Sequence, residues 1–244
     1  TISGNITTAP DMSVSASITF TVVTGQRFHR RDDPANGHRI YPVMQELDPD
    51  FFIHTGDIIY YDKLAPVALT TDLARLKWNR MYALPFQRDF HNQIASYFIK
   101  DDHDTWLNDC WPTKQSKRMG DFTFKQGQQI FLEQVPMGTE IYRTIQWGKD
   151  LQIWLVEGRD FRSPNSMLDS PEKTIWGHQQ KTWFKQTVRD SDATFRILIS
   201  PTPVVGPDRE KKNDNHANKG FKHEGDDLRR FIGQQKNMVV ICGD

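Results

Sequence analysis

The chain is short of several features that would each fix its class. It has two cysteines, Cys110 and Cys242, among 244 residues, too few for a disulfide framework. Cys242 ends an apolar run, so it is expected to be a buried free thiol. No apolar run approaches the roughly 20 residues that cross a bilayer. Net charge is missing as well: 31 Lys plus Arg offset 31 Asp plus Glu, so no global field draws the chain to nucleic acid or to a membrane surface. Internal repeats and low-complexity stretches are absent. Thr1-Ile2-Ser3-Gly4 offers neither the basic nor the apolar part of a leader. These residues carry no address, and the protein is either cytosolic or has its signal upstream.

Aromatic residues are plentiful, with 7 Trp and 15 Phe, which suits a solid core and not a disordered chain. The length suits one α/β domain over residues 1–244. Short apolar runs of strand length occur at Ser17–Val23, Phe51–Thr55, Ser96–Ile99, Leu151–Val156, Phe195–Ile199 and Met238–Cys242. Helix-like stretches lie between several of them. Over Asp72–Leu84, Leu73, Leu76, Arg80 and Leu84 share a stripe, with Thr71 as N-cap and Pro85 as terminator. Gln179–Arg189 places Gln180, Phe184 and Val188 on one face. Asp226–Gln235 carries Leu228, Phe231 and Ile232. Strands alternating with helices predict an α/β class. The polar stretches Gln26–His38 and Gly206–Lys222 read as functional loops.

Each strand run stops in polar residues, and in α/β sheets ligands bind beyond the carboxyl ends of strands. Acids recur there: Asp57, Asp101, Asp102, Asp104 and Asp244. Carboxylates brought together without a cation repel one another and rise in pKa; a bound multivalent cation is the simpler solution. Two segments are specific. In Phe51-Phe52-Ile53-His54-Thr55-Gly56-Asp57-Ile58-Ile59-Tyr60, a strand runs into Gly-Asp with a tyrosine three residues later. In Tyr97-Phe98-Ile99-Lys100-Asp101-Asp102-His103-Asp104, an acid-acid-His-acid run follows a strand directly.

Together these resemble the alkaline phosphatase D (PhoD-like) family of the metallophosphatase superfamily. Its pattern is a strand with Gly-Asp-x-x-Tyr, a strand with Asp-Asp-His-Asp/Glu, and a final Gly-Asp-x-His. The third element begins at Val239-Val240-Ile241-Cys242-Gly243-Asp244. Leu155-Val156-Glu157-Gly158-Arg159-Asp160 and Trp176-Gly177-His178-Gln179-Gln180 look like the family's intervening strand and helix. The resemblance covers residues 19–244. It implies an α/β fold, a four-layer metallophosphatase-like β-sandwich core flanked by helices.

It also implies metal-dependent hydrolysis of phosphoric esters by a two-metal-activated hydroxide, with the cations about 3.5–4 Å apart. Two or more metal ions are expected, drawn from iron, calcium, manganese or zinc. By resemblance Asp57, Tyr60, Asp102 and Asp244 are metal ligands, Asp57 shared and Tyr60 a phenolate. His103 and Arg159 are catalytic, the first donating a proton or a hydrogen bond, the second pairing with phosphate oxygens; a structural ion pair is the other reading of Arg159. Arg27, His216 and His223 are the candidates to touch substrate. The expected partner is a small-molecule phosphate ester, with no nucleic acid and no membrane segment, and the oligomeric state is open. Export to the periplasm or exterior is implied by the family alone.

The chain departs from the family pattern in three places. Gly25 stands where the prototype has a cysteine ligand, Ser200-Pro201-Thr202-Pro203 offers no histidine after the penultimate strand, and the chain stops before the last family histidine. The protein is therefore expected to continue past Asp244. Two alternatives stay open: a phosphatase fold that lost its chemistry and serves as a binding module, and a metal-assisted hydrolase of another anionic ester such as a sulfate ester. Of the remaining histidines, His54 reads as a packed core residue. His29 and His38, beside Arg30, Arg31 and Arg39, read as solvated loop, and His91 and His178 as surface.

Overall fold

The computed structural model describes residues 3–209 and 211–244. Thr1, Ile2 and Glu210 lie outside the described residues, and with them part of the N-terminal reading and one position of the Gly206–Lys222 loop. Among the described residues, seven strands form two sheets. One holds β1 (Phe20–Val23), β2 (Phe51–His54) and β3 (Ala95–Phe98) in that order, all parallel. The other runs β4 (Arg143–Trp147), β5 (Leu151–Leu155), β6 (Phe195–Ser200) and β7 (Met238–Cys242). There β5, β6 and β7 are parallel and β4 is antiparallel to β5.

Alternation along the strands builds the layers, because successive side chains point to opposite faces. Phe51 and Ile53 of β2 meet Leu151, Ile153 and Leu155 of β5 and Ile197 and Ile199 of β6 in one core between the sheets. Phe52 faces the other way, into a core with Tyr41, Trp78, Phe90 and Phe131. These come from α1 (Ile40–Gln45), α2 (Thr71–Tyr82), α3 (Pro85–His91) and α5 (Phe124–Gln134). Trp154 and Leu198 leave the second sheet outward, to meet Phe184 of α6 (Gly177–Asp190) and Leu228 and Phe231 of α7 (Lys222–Gly233). The order helix, sheet, sheet, helix is the expected four-layer sandwich.

Particular elements differ from the sequence expectation. β4 lies outside the apolar runs, since Arg143-Thr144-Ile145-Gln146-Trp147 alternates polar and apolar residues as a half-buried edge strand does. Helix α2 is capped by Thr70, whose hydroxyl accepts the Leu73 amide at 3.3 Å, and not by Thr71. Pro85 does not merely end α2; it opens α3, where its missing N–H costs nothing. Cys242 is a free thiol as expected but only half-buried, because β7 lies at the edge of its sheet. His38 is buried, not solvated, and His91 packs edge-on against Tyr41, Phe52 and Phe90, not on an open surface. His54 is fully buried, and burial pushes its pKa down to about 3.

The carboxyl ends of the two sheets meet at one edge. Lys100, after β3, donates to Glu157 and Asp160 after β5, each at 2.5 Å. Gly243, after β7, sits among Thr24, Thr55 and Pro201, and any side chain there would collide with all three. Among the described residues, no helix is long and apolar enough to cross a membrane.

Candidate metal centre

Backbone geometry at the end of β2 delivers the first acid. Gly56 has φ +109 and no room for a side chain, since a Cβ would lie 2.7 Å from that of Asp101. Asp57 follows with φ 57, a conformation uncommon for anything but glycine, and this turns its carboxyl back over the strand end. Asp104 holds the turn. Its carboxylate accepts the amides of Asp57 and Ile58 at 3.3 Å each and of Asp101 at 2.7 Å, so one side chain ties the β2 and β3 loops together. Burial and the Asp57 charge push its pKa up to about 8.

The short helix α4 (Asp102–Thr105) then presents Asp102 and His103. One ligand atom each from Asp57, Asp102 and His103 falls within 4.8 Å of the others. Burial raises Asp57 to about 6, and the charge of Asp102 adds to it. Burial acts on Asp102 in the same sense, but Arg159, His103 and the amides of Asp109 and His103 outweigh it and hold this carboxyl below the usual range. Asp57 Oδ1 is buried with no hydrogen-bond partner. An orphaned carboxylate oxygen beside a second carboxylate is the environment a hard cation fits. The donors brought together make one partial site, not two complete ones.

Tyr60 donates its hydroxyl to Asp57 Oδ2 at 2.9 Å. Burial and the Asp57 charge push the phenol's pKa well up. Its ring lies 4.4 Å from that of His103. A Cβ at Gly25 would sit 3.9 Å from the Tyr60 hydroxyl, so position 25 does face this site although its own residue brings no ligand. His103 Nδ1 lies 2.6 Å from Asp62 Oδ1, and Nε2 lies 2.8 Å from Lys63 Nζ. A carboxylate only accepts, so Nδ1 carries the proton and Nε2 receives the lysine's. Burial lowers the His103 pKa, but Asp62 and the other acids overcome it and raise it.

Arg159 is fully buried and donates from Nε to Asp101 Oδ1 at 2.6 Å, while Nη1 and Nη2 have no partner. Arg27 stacks over Tyr60, its guanidinium carbon 4.8 Å from the ring centre. The other candidates are not among the three gathered donors. Asp244 is ion-paired with Lys212 and, at 3.6 Å, with Arg209. His216 is buried against Trp176, with Nε2 2.9 Å from Glu224. His223 is exposed in the first turn of α7.

Sequence reasoning misses Asp62 and Lys63, which no motif marks and which only the fold brings to His103. It sees Lys100, Glu157 and Asp160 as polar strand ends, without the buried ion pairs that join the sheets. The signal available was the placement of opposite charges at the ends of β3 and β5.

Comparison with solved structures agrees with the fold. A structure described as that of PhoD matches with a TM-score of 0.81 at 18% identity, over 99% of this chain and 53% of the other. A purple acid phosphatase from yellow lupin (Lupinus luteus) seeds matches with a TM-score of 0.61 at 12% identity, over 96% of this chain and 39% of the other. This chain thus spans about half the length of the PhoD structure. No curated protein matches it by sequence. The family model described as PhoD-like phosphatase matches residues 20–244, and the chain therefore belongs to the PhoD-like phosphatase family of the metallophosphatase superfamily.

Proposed function

We propose that this chain is a metal-dependent hydrolase of phosphoric esters. The observation that carries the reading is the trio Asp57, Asp102 and His103, gathered within 4.8 Å in a chain of this family. Asp57, Asp102 and Tyr60 are the residues that would hold the first cation. Asp244, now paired with Lys212 and Arg209, is the residue that would serve a second cation. Iron, calcium, manganese and zinc are all compatible with these donors. Bound cations supply an acidified water and a clamp on the phosphate oxygens.

The chain's own residues do the rest. His103, oriented by Asp62 at Nδ1, acts on the leaving oxygen through Nε2 once Lys63 turns away and that nitrogen has taken up a proton. Arg159 fixes Asp101 and keeps Asp102 ionised, and its free Nη atoms are the donors left for a phosphate oxygen. Arg27 meets substrate at the Tyr60 edge, and His216 and His223 belong to the loop that borders it. The substrate is a small phosphate ester, and the protein works outside the cytoplasm.

The test is turnover of p-nitrophenyl phosphate and bis-p-nitrophenyl phosphate by metal-replete protein, with p-nitrophenyl sulfate as the third arm. Phosphate release that vanishes on chelation and returns with added metal supports the reading. A second reading, a binding module without chemistry, has one observation in its favour: the Asp244 carboxylate is engaged by two cations. Tight metal binding without turnover of any ester would select it.

A further inference from the structure

Beside the metal cluster, on the far side of Tyr60, lies a narrow cleft whose lining includes Arg27, His29, Tyr60, Lys63, Lys77 and Arg80 and no acid. Lys63 Nζ is 5.7 Å from the Tyr60 ring centre, and the Arg27 guanidinium carbon is 4.8 Å from it. Arg80, from α2, stacks on Phe28 with its guanidinium carbon 4.5 Å from the ring, and its Nε is buried without a partner. Lys77 is buried and donates to the carbonyls of Tyr60, Lys63 and Leu64 at 2.7, 3.0 and 3.2 Å. It holds the loop and contributes a charge that no carboxylate contacts. The acid acting on it, Asp62, is itself engaged by His103.

Like charges packed this way oppose one another. After burial, Arg80, Lys77 and Arg31 are what lower the pKa of His29, and Arg31 does the same to Arg80. A protein gathers unpaired cations at such a cost where an anion is to neutralise them. The cleft also has a direction. It begins one hydrogen bond from His103, because Lys63 Nζ is 2.8 Å from His103 Nε2. On the phosphoesterase reading, a leaving group at His103 has Lys63 beside it, and the same cleft is lined by Arg80.

We propose that this cleft is a second anion subsite, and that the preferred substrates are phosphate esters whose leaving group carries a further phosphate. The inference rests on the phosphoesterase reading for the direction of the leaving group, but the subsite is tested by binding alone. Arg27, Lys63 and Arg80 have long side chains that can close on the second phosphate, Arg by a two-point fork and Lys as a point charge. Tyr60 separates the two anions and fixes their spacing.

The experiment compares two non-hydrolysable phosphonate analogues by calorimetry on the metal-replete protein: that of thymidine 5′-phosphate, and that of thymidine 3′,5′-bisphosphate. The second should bind at least about tenfold tighter at low salt, and the preference should shrink as salt screens it. Arg80→Gln should bind the mono analogue as the wild type does and lose most of the preference, and Arg80→Lys should keep part of it. Equal affinity for the two analogues in the wild type, or an undiminished preference in Arg80→Gln, overturns the subsite. Phosphate release from the parent nucleotides is measured separately. A binding preference without any turnover upholds the subsite and sinks the phosphoesterase reading. Turnover with no preference does the reverse.

Discussion

Arg159 reaches from the loop after β5 to Asp101 in the loop after β3, and its Nε lies 2.6 Å from the carboxylate with both residues buried. The contact joins the two sheets at the edge where the acids gather, and its charge keeps the neighbouring Asp102 ionised. Arg159→Ala leaves a buried carboxylate unpaired, which costs on the order of 3–5 kcal/mol. Melting should therefore fall by roughly 10 °C for a chain of this size. Arg159→Lys is the sharper variant. It keeps a cation near Asp101 and removes the forked Nη donors. If those donors meet a phosphate oxygen, the lysine variant melts near the wild type and loses kcat/KM. If Arg159 is only a strut, melting and activity fall together.

Asp57→Asn and Asp102→Ala should each abolish phosphate-ester turnover and lower bound metal, measured by elemental analysis, without unfolding the domain. Asp57 Oδ1 has no partner to lose, and removing either charge relieves the repulsion between the two carboxylates. Full metal content in both variants would move the cation elsewhere.

The layers were legible because the buried strands are short apolar runs separated by helical stretches, and each run stops in polar residues at the same edge. β4 and α5 were not. The first alternates at a sheet edge, and the second, Phe124-Lys125-Gln126-Gly127-Gln128-Gln129-Ile130-Phe131, is mostly polar by count. Its start was nonetheless written in Thr123 and Gln126, which cap each other's backbone. At the site, the paired motifs located Asp57, Asp102 and His103 because each sits immediately beyond a strand. They did not separate the roles of the neighbouring acids. Asp101 is held by arginine, Asp104 by three amides, and Asp244 by cations from a distant loop. Apart from the Asp101 amide, three residues from Asp104, those partners are set by tertiary contacts between residues tens of positions apart, which no local pattern encodes.

His103→Gln should retain metal and lose rate by roughly 10²–10⁴, the usual size of a general-acid contribution. Asp62→Asn should act through His103: it removes the acceptor that fixes the ring at 2.6 Å and should slow turnover by about tenfold or more, the scale of losing an orienting partner. In the double variant the two losses should not add, because both act on one proton. Additive losses would place Asp62 in a separate role, such as bracing the loop through the Asn108 amide that it accepts at 3.1 Å.

The His216–Glu224 pair makes a prediction about acid stability away from the metal cluster. Burial would raise the Glu224 pKa, but the His216 contact, the Ile175 amide and the Thr174 hydroxyl prevail and pull it from 4.5 down to about 2. A carboxyl depressed on folding contributes stability that is complete above its unfolded pKa and is lost as pH falls toward the folded one. The window here runs from about pH 4.5 to about pH 2, and the contribution is on the order of 3 kcal/mol at neutral pH. Urea unfolding followed across that window should show the stability falling with acid. Glu224→Gln, which keeps the shape and cannot ionise, should be less stable at pH 7 and should lack the part of the slope that Glu224 provides. His216→Ala should shift the loss to higher pH, since the folded pKa then moves back toward the unfolded value. An identical acid slope in wild type and Glu224→Gln would mean that this carboxylate is not among those whose protonation destabilises the fold.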